Sequence, residues 1–333
     1  MTGCTSLVKV YKLGKSLNKK TRRRLGFKGS TPSHPTITKV IKMIDSEEFE
    51  LVLAKLMKEI AGKNFKQIAI DGKSIRSTSS NPKGLLHLVS AFAPEVNAVL
   101  MQSKSKVAAG EIKSLEEMIP KLDLKGKVVT ADALYVQEVL CNKIVQAGGD
   151  YVFKVKRNRK KILGDIEEGF NLSYNRNLPV RTYEYTKKGH GRIDHRKIEV
   201  ISSNRKHFGG WGTDTIKQVG RITKNSFTVK TGKEKEEVSY IISSLLPKQS
   251  GAEDLLKYSV GHWSIENILH RTRDVIFKED VSNIACLKSQ QINAGLRNLA
   301  IFLLSKIEKS ITLAIDKITA SLHIAIKLIL SRT

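Results

Sequence analysis

Two short runs of the chain end alike. "QIAID" (67–71) and "GKVVTAD" (126–132) are apolar and β-prone, each closes on an aspartate, and each aspartate is followed by a small residue, Gly72 or Ala133. Such a run reads as a buried strand. An aspartate at its carboxyl end stands where α/β sheets place their ligands. If the two strands are neighbours, Asp71 and Asp132 face each other across one edge of the sheet. Each acid also has a plain structural reading: Asp-Gly at 71–72 is a hairpin-turn signal, and Asp132 could cap the helix that follows it.

The surrounding pattern fits a mixed α/β sheet. "LLHLVSAFAP" and "NAVLMQSKSK" read as two further strands about a loop at Pro94 to Asn97. "GEIKSLEEMIPKL" is a helix that stops near Pro120, "QEVLCNKIVQAGG" a helix with a glycine stop, and "DYVFKVK" a fifth strand. Three strands, then helix, strand, helix, strand, is the order of such a sheet.

Ahead of it, residues 1–62 form a basic and helical unit. After the run "KKTRRR" it reads turn, helix, turn, helix. Ser33 or Thr36 caps the first helix, and Ser46 with Glu47 and Glu48 opens the second. Phe49, Val52, Leu53, Leu56 and Ile60 make a buried stripe on that second helix. A β-rich insertion occupies about 176–246, and the chain is helical from Glu253. Residues 306–333 form a C-terminal amphipathic helix, which Asp316, Lys317 and Lys327 make too short between charges to span a bilayer.

Lys and Arg outnumber Asp and Glu by 58 to 32, a net charge of +26 over 333 residues. The excess is spread along the chain, so it is no basic tail. A field of this sign favours a polyanion, and nucleic acid is the commonest one. Cys4, Cys141 and Cys286 are scattered and odd in number, which suggests neither a disulfide framework nor a zinc site. The first residues carry no apolar stretch of signal-peptide length, so the expected location is the cytoplasm.

Two close carboxylates repel, and at neutral pH they share a proton or bind a cation. Hard oxygen donors suit Mg²⁺ or Mn²⁺. A third acid for such a site is Glu266, in "GHWSIENILHRTRDVIFKED" (261–280). On an α-helix Ile265, Ile268, Leu269 and Ile276 share one face with Thr272. Glu266 lies ~100° from the centre of that stripe, with His262, His270 and Arg273 on its side. The plainer alternative is an exposed face with a Glu266–His270 pair worth ~0.2–0.5 kcal/mol. It leaves Trp263 and two histidines unexplained.

"IAIDGKSIRSTSS", "KVVTADALYVQ", "DYVFKVKRN", "GHGRIDHR" and "HWSIENILHRTRDVIFKED" together resemble the DDE transposases of bacterial insertion sequences, in the branch of the H-repeat-associated proteins. The likeness runs from about Arg24 to about Leu304. It implies a ribonuclease-H-like catalytic domain over 63–305, interrupted by the β-rich insertion. It implies Asp71, Asp132 and Glu266 as the catalytic, metal-binding triad, holding two Mg²⁺ or Mn²⁺ ions. Lys156 and Asn158 match the family's Lys-x-Asn, and His190, Gly191 and Arg192 its His-Gly-Arg.

Lys73, Lys156, Asn158, Arg159, His190, Arg192, His262 and Arg273 are expected to face DNA. Of the wider superfamily's Tyr-x2-Arg-x3-Glu-x6-Lys pattern, the chain has Ser259, His262, Glu266 and Arg273. It departs from the branch at Val260, Arg271, Ser282, Asn283 and Arg159, which bears on the handling of the leaving strand and leaves the triad intact.

The implied reaction is metal-dependent strand cleavage and strand transfer. The expected partners are double-stranded DNA, as element ends and target, and a second copy of the chain, with no membrane; the expected place is the nucleoid. A different class of reading is a remnant that binds element ends without cutting. A nucleotide-binding enzyme, prompted by "DGKS", fails because a P-loop needs glycine where Gln67 stands.

Overall fold

The computed structural model describes residues 2–82, 84–105, 110–189, 191–203, 214–284 and 286–330. Two compact units make up the chain. One comprises Phe65–Asp71 and Leu115–Ser264, the other Met1–Asn64, Gly72–Ser114 and Ile265–Thr333. Strand β1 (Gln67–Ile75) runs through both, within a nine-stranded mixed sheet.

In the first of these units β1 lies parallel to β4 (Val128–Ala131), and β4 parallel to β5 (Asp150–Val155). Ile68, Ala69, Ile70, Val129, Tyr151 and Phe153 are buried, as parallel strands covered on both faces require. On β5 follow β9 (Lys233–Ser243), β8 (Gln218–Thr228), β7 (Arg192–Ser202) and β6 (Arg181–Gly189), all antiparallel. These four strands are the expected β-rich insertion. One end of each of β7, β8 and β9 joins the core and the other reaches solvent, as the exposed first six residues of β9 show, while β6 buries no residue.

Helices α6 (Glu138–Gln146) and α7 (Lys160–Asn175) flank β5 in sequence. A further helix, Ala252–Gly261, buries Leu255 and Leu256 against Val128, Val152, Ile198, Val200 and Ile241. Gly220 is needed on β8, because a Cβ there would come within 2.8 Å of the Ile241 side chain.

In the other unit β1 is followed in the sheet by β2 (Leu86–Ala93) and β3 (Ala98–Ser105), joined by a turn in which Asn97 takes the left-handed conformation. The first two helices, α1 (Leu7–Ser16) and α2 (Lys19–Arg24), bury no residue. Helix α3 (His34–Met43) is capped by Ser33, whose hydroxyl accepts from the Thr36 amide, which settles the choice between the two caps. Helix α4 (Ser46–Ala61) is capped by Asp45, one residue ahead of the expected Ser46; its carboxylate accepts from Glu47 and Glu48.

The buried stripe of α4 also differs from expectation. Leu53, Met57 and Ala61 pack on Ala98 and on Phe302 of the long helix Leu287–Ser305, whereas Val52 and Leu56 are exposed. Where one helix was expected from residue 306 onward, the described residues 306–330 hold two, Ile311–Ala320 and Leu322–Leu330, because Ser321 is extended and breaks the path.

Candidate active site

Asp71 and Asp132 stand in equivalent positions. The register of β1 against β4 runs from Gln67–Val128 to Ile70–Ala131, and the next residue on each strand is the aspartate. The buried Gln67 side chain donates to Thr130 Oγ1 at 2.8 Å and to the Tyr258 carbonyl at 2.9 Å. The plain structural readings of both acids fall away. β1 passes through Asp71 and Gly72 to Ile75, so no hairpin turns there; it is the pairing with β4 that ends at Ile70. Asp132 precedes a 3-10 turn, Ala133–Tyr135, and makes no side-chain cap.

Two lysines and a histidine surround Asp132. The Lys156 ammonium donates to Oδ2 at 2.6 Å. Partial burial pushes the Asp132 carboxyl up, but the hydrogen bond and charge of Lys156 outweigh it and hold the group below its ordinary value. His262 is buried, its ring bonds the Thr130 backbone, and its Nδ1 has no hydrogen-bond partner among the described residues. Burial, then the charge of Lys154, push the His262 pKa down to about 4, so the ring is neutral at physiological pH. Lys154 itself lies 5.0 Å over the Trp263 ring, which gives that exposed tryptophan a contact.

Glu111, a residue that sequence reasoning did not single out, opens helix α5 (Glu111–Met118). Its carboxylate lies so close over Gly72 that a Cβ there would fall 2.4 Å from its Cδ. The glycine after Asp71 therefore makes room for another acid.

Glu266 lies in π-helix, not α-helix. The π-helical stretches Ile265–His270 and Thr272–Ile276 follow one another, a rare geometry that recurs at functional sites. Ile265, Leu269 and Thr272 are buried as expected, while Glu266 reaches solvent. Glu266 and His270 each offer a ligand atom within 4.8 Å of the other's.

Three residues expected to face DNA are buried. Arg273 is fully buried in an ion pair with Glu279 at 2.8 Å. Lys73 is 7% exposed and pairs with Asp274 at 2.7 Å and Asp280 at 3.7 Å. His262 is turned inward, as described above. The α-helical period put Arg273 on the Glu266 side; in the wider turn of a π-helix it points into the core. The signal for these ion pairs was the acid-rich "DVIFKED": Glu279 is six residues from Arg273, whereas Lys73 is 201 residues from Asp274 and could not be matched to it without the fold.

The other basic residues differ in setting. Lys156 and Asn158 are exposed just past β5, and Arg192 is exposed at the start of β7. Arg159 is partly buried and donates to the Leu134 carbonyl at 3.2 Å. His190 lies outside the described residues.

Among the described residues, no helix is long and apolar enough to cross a membrane. The family model described as a transposase DDE domain matches residues 64–303. YbfL of Escherichia coli K12 is 32% identical over 285 residues, 84% of this chain and 75% of its own. The "H repeat-associated putative transposase YhhI" of the same strain is 31% identical over the same shares of the two chains. Its namesake YbfD is 34% identical over 173 residues, 51% of this chain and 68% of its own.

Proposed function

The chain belongs to the DDE transposase family, a family of enzymes that cut DNA and join the cut strand elsewhere, and from that premise we propose that Asp71, Asp132 and Glu266 are its catalytic acids. The observation that carries this is the pairing of Ile70 with Ala131 on parallel neighbouring strands, which sets two carboxylates at equivalent places on adjoining strands. A fold of the ribonuclease H kind accommodates this arrangement: a mixed sheet, helices between its strands and a β-rich insertion ahead of Glu266.

The donor set fits hard divalent ions, since carboxylate oxygens dominate it and the His270 imidazole beside Glu266 is an acceptable nitrogen ligand. Two Mg²⁺ or Mn²⁺ ions are the assignment. Bound there, they supply charge neutralisation and polarisation of phosphate oxygens.

The protein's own groups do the rest. Lys156, Asn158 and Arg192 offer exposed polar or charged groups to the phosphates of double-stranded DNA. The run Lys154, Lys156, Arg157, Arg159, Lys160 and Lys161 follows the backbone from the end of β5. Hydrolysis at an element end frees a 3′-hydroxyl, which then attacks a target phosphodiester in line, and no covalent link to the protein forms. Two ends must be brought together, so the working form is a homodimer on DNA, at the nucleoid in the cytoplasm.

The experiment is nicking of DNA that carries the element's flanking repeats, with Mg²⁺ and Mn²⁺ titrated. Metal-dependent nicks at the repeat boundary support the assignment. Tight binding with no cleavage at any metal concentration would make the chain a DNA-binding remnant.

A further inference from the structure

Resting on the reading above and extending it, we infer that Lys156 is a built-in counter-cation for Asp132, displaced when a divalent ion arrives and then free to hold a DNA phosphate. The contact is direct, Nζ to Oδ2 at 2.6 Å. Its position follows from register: Phe153 pairs with Ala131, so Lys156, three residues past Phe153, can reach the residue after Ala131.

The three side chains at Asp132 are not equivalent, and only the two lysines carry charge at neutral pH. His262 is buried and bonded to the Thr130 backbone, and Lys154 is partly buried beside Trp263. Lys156 has 59% of its side chain exposed, and Asp132 39%. A lysine on a flexible four-carbon stem, in an exposed pair, is held weakly and exchanges readily. A divalent cation on the same carboxylate weakens its hold on the ammonium group, because like charges so close repel. Displacement of the ammonium is favoured, and the exposed polar surface of Arg157 and Asn158 beside it is where DNA would track.

The two loads are therefore linked. Metal frees a phosphate-binding cation, so metal and DNA raise each other's affinity by the same factor. Removing the ammonium should tighten metal binding when DNA is absent and erase that share of the coupling.

Mn²⁺ binding to the full chain, measured by calorimetry without DNA, tests this with Lys156→Met, Lys156→Arg and Asp132→Asn. DNA affinity is then measured with and without Mn²⁺. The expected result is Mn²⁺ bound roughly two- to fivefold more tightly by Lys156→Met, the range set by an exposed ion pair. Lys156→Arg should restore the native affinity. Asp132→Asn should weaken Mn²⁺ binding, and Mn²⁺ should improve DNA binding less in Lys156→Met than in the native chain.

Unchanged or weaker Mn²⁺ binding in Lys156→Met, with Asp132→Asn still impaired, would overturn the counter-cation role and leave the acid assignment standing. Native Mn²⁺ affinity in Asp132→Asn would remove Asp132 from the metal site and this inference with it.

Discussion

Arg273 and Glu279 form an ion pair in which neither side chain touches solvent, with Nη2 2.8 Å from Oε2. Arg297 binds the other Glu279 oxygen at 2.9 Å, and Arg273 Nη1 donates to Gln102 Oε1 at 3.2 Å. Gln102 accepts from Asn298 as well and donates to Glu50. Burying these charges is costly, and the cost is met only while every partner is in place. The network pins the π-helical stretch seven residues beyond Glu266, so Arg273 acts on the site through position.

Arg273→Met should therefore lower unfolding stability by roughly 3–5 kcal/mol, the usual loss when one partner of a buried pair is removed. Urea denaturation measures it. The salt dependence of DNA binding should not change, whereas losing a phosphate contact would reduce its slope by ~0.9. A reduced slope with an unmoved urea midpoint would return Arg273 to the DNA surface.

Asp71→Asn, Asp132→Asn and Glu266→Gln should each abolish strand cleavage and leave DNA affinity, measured without divalent metal, close to native. Each swap keeps the shape of the side chain and removes the charge that a divalent ion requires. Gel-shift and nicking assays on the same repeat-end DNA separate the two effects. Near-native cutting by any one variant would strike that residue from the triad.

Glu50 adds a pH dependence to the same network. Burial raises its pKa from 4.5 to about 7, against the lowering effects of the Gln102 hydrogen bond and the Arg273 charge. The folded chain thus holds a proton that the unfolded chain releases above pH 4.5. Stability from this group is full below pH 4.5 and is lost as pH rises to about 7. The loss is about 3 kcal/mol at 1.36 kcal/mol per unit. Glu50→Gln, which keeps an acceptor for Gln102, should remove that part of the decline between pH 5 and 8. Identical stability profiles for the two proteins over that range would show Glu50 to be ionised throughout.

Much of this was legible in the chain. The "QIAID" and "VVTAD" runs announced β1, β4 and the two aspartates, because buried parallel strands are written as unbroken apolar runs. Pro120 and Gly148–Gly149 marked where helices stop. The environment of the helix bearing Glu266 was hidden. Its apolar spacing suits α and π geometry about equally over a turn, and only packing decides between them. Lys73 and His262 look alike in sequence to solvent-facing cations, since what distinguishes them is an acid or a strand end more than a hundred residues away; Arg273 has its acid, Glu279, six residues on, but helical spacing does not say that the pair is buried. Glu111 was invisible for a related reason: a glycine leaves no pattern that says which side chain fills its space.

That space makes the sharpest steric test. A methyl group at residue 72 would lie 2.4 Å from Glu111 Cδ and Oε1 and 2.5 Å from Oε2. The obstacle is the far end of a flexible side chain, so Gly72→Ala should fold, at a cost of about 1–3 kcal/mol for overpacking. Relief has two routes: Glu111 swings away, or the strand shifts and carries Asp71 with it. A displacement near 1 Å at a reacting centre costs on the order of 100-fold in rate. Gly72→Ala should thus lose cleavage by about that factor with DNA affinity retained.

Combining it with Glu111→Ala removes the clash. If stability and cleavage both return in the double variant, Glu111 only fills space. If stability returns and cleavage does not, the Glu111 carboxylate is needed for cleavage in its own right. Native cleavage by Gly72→Ala alone would show that the strand tolerates the methyl group without moving its aspartate.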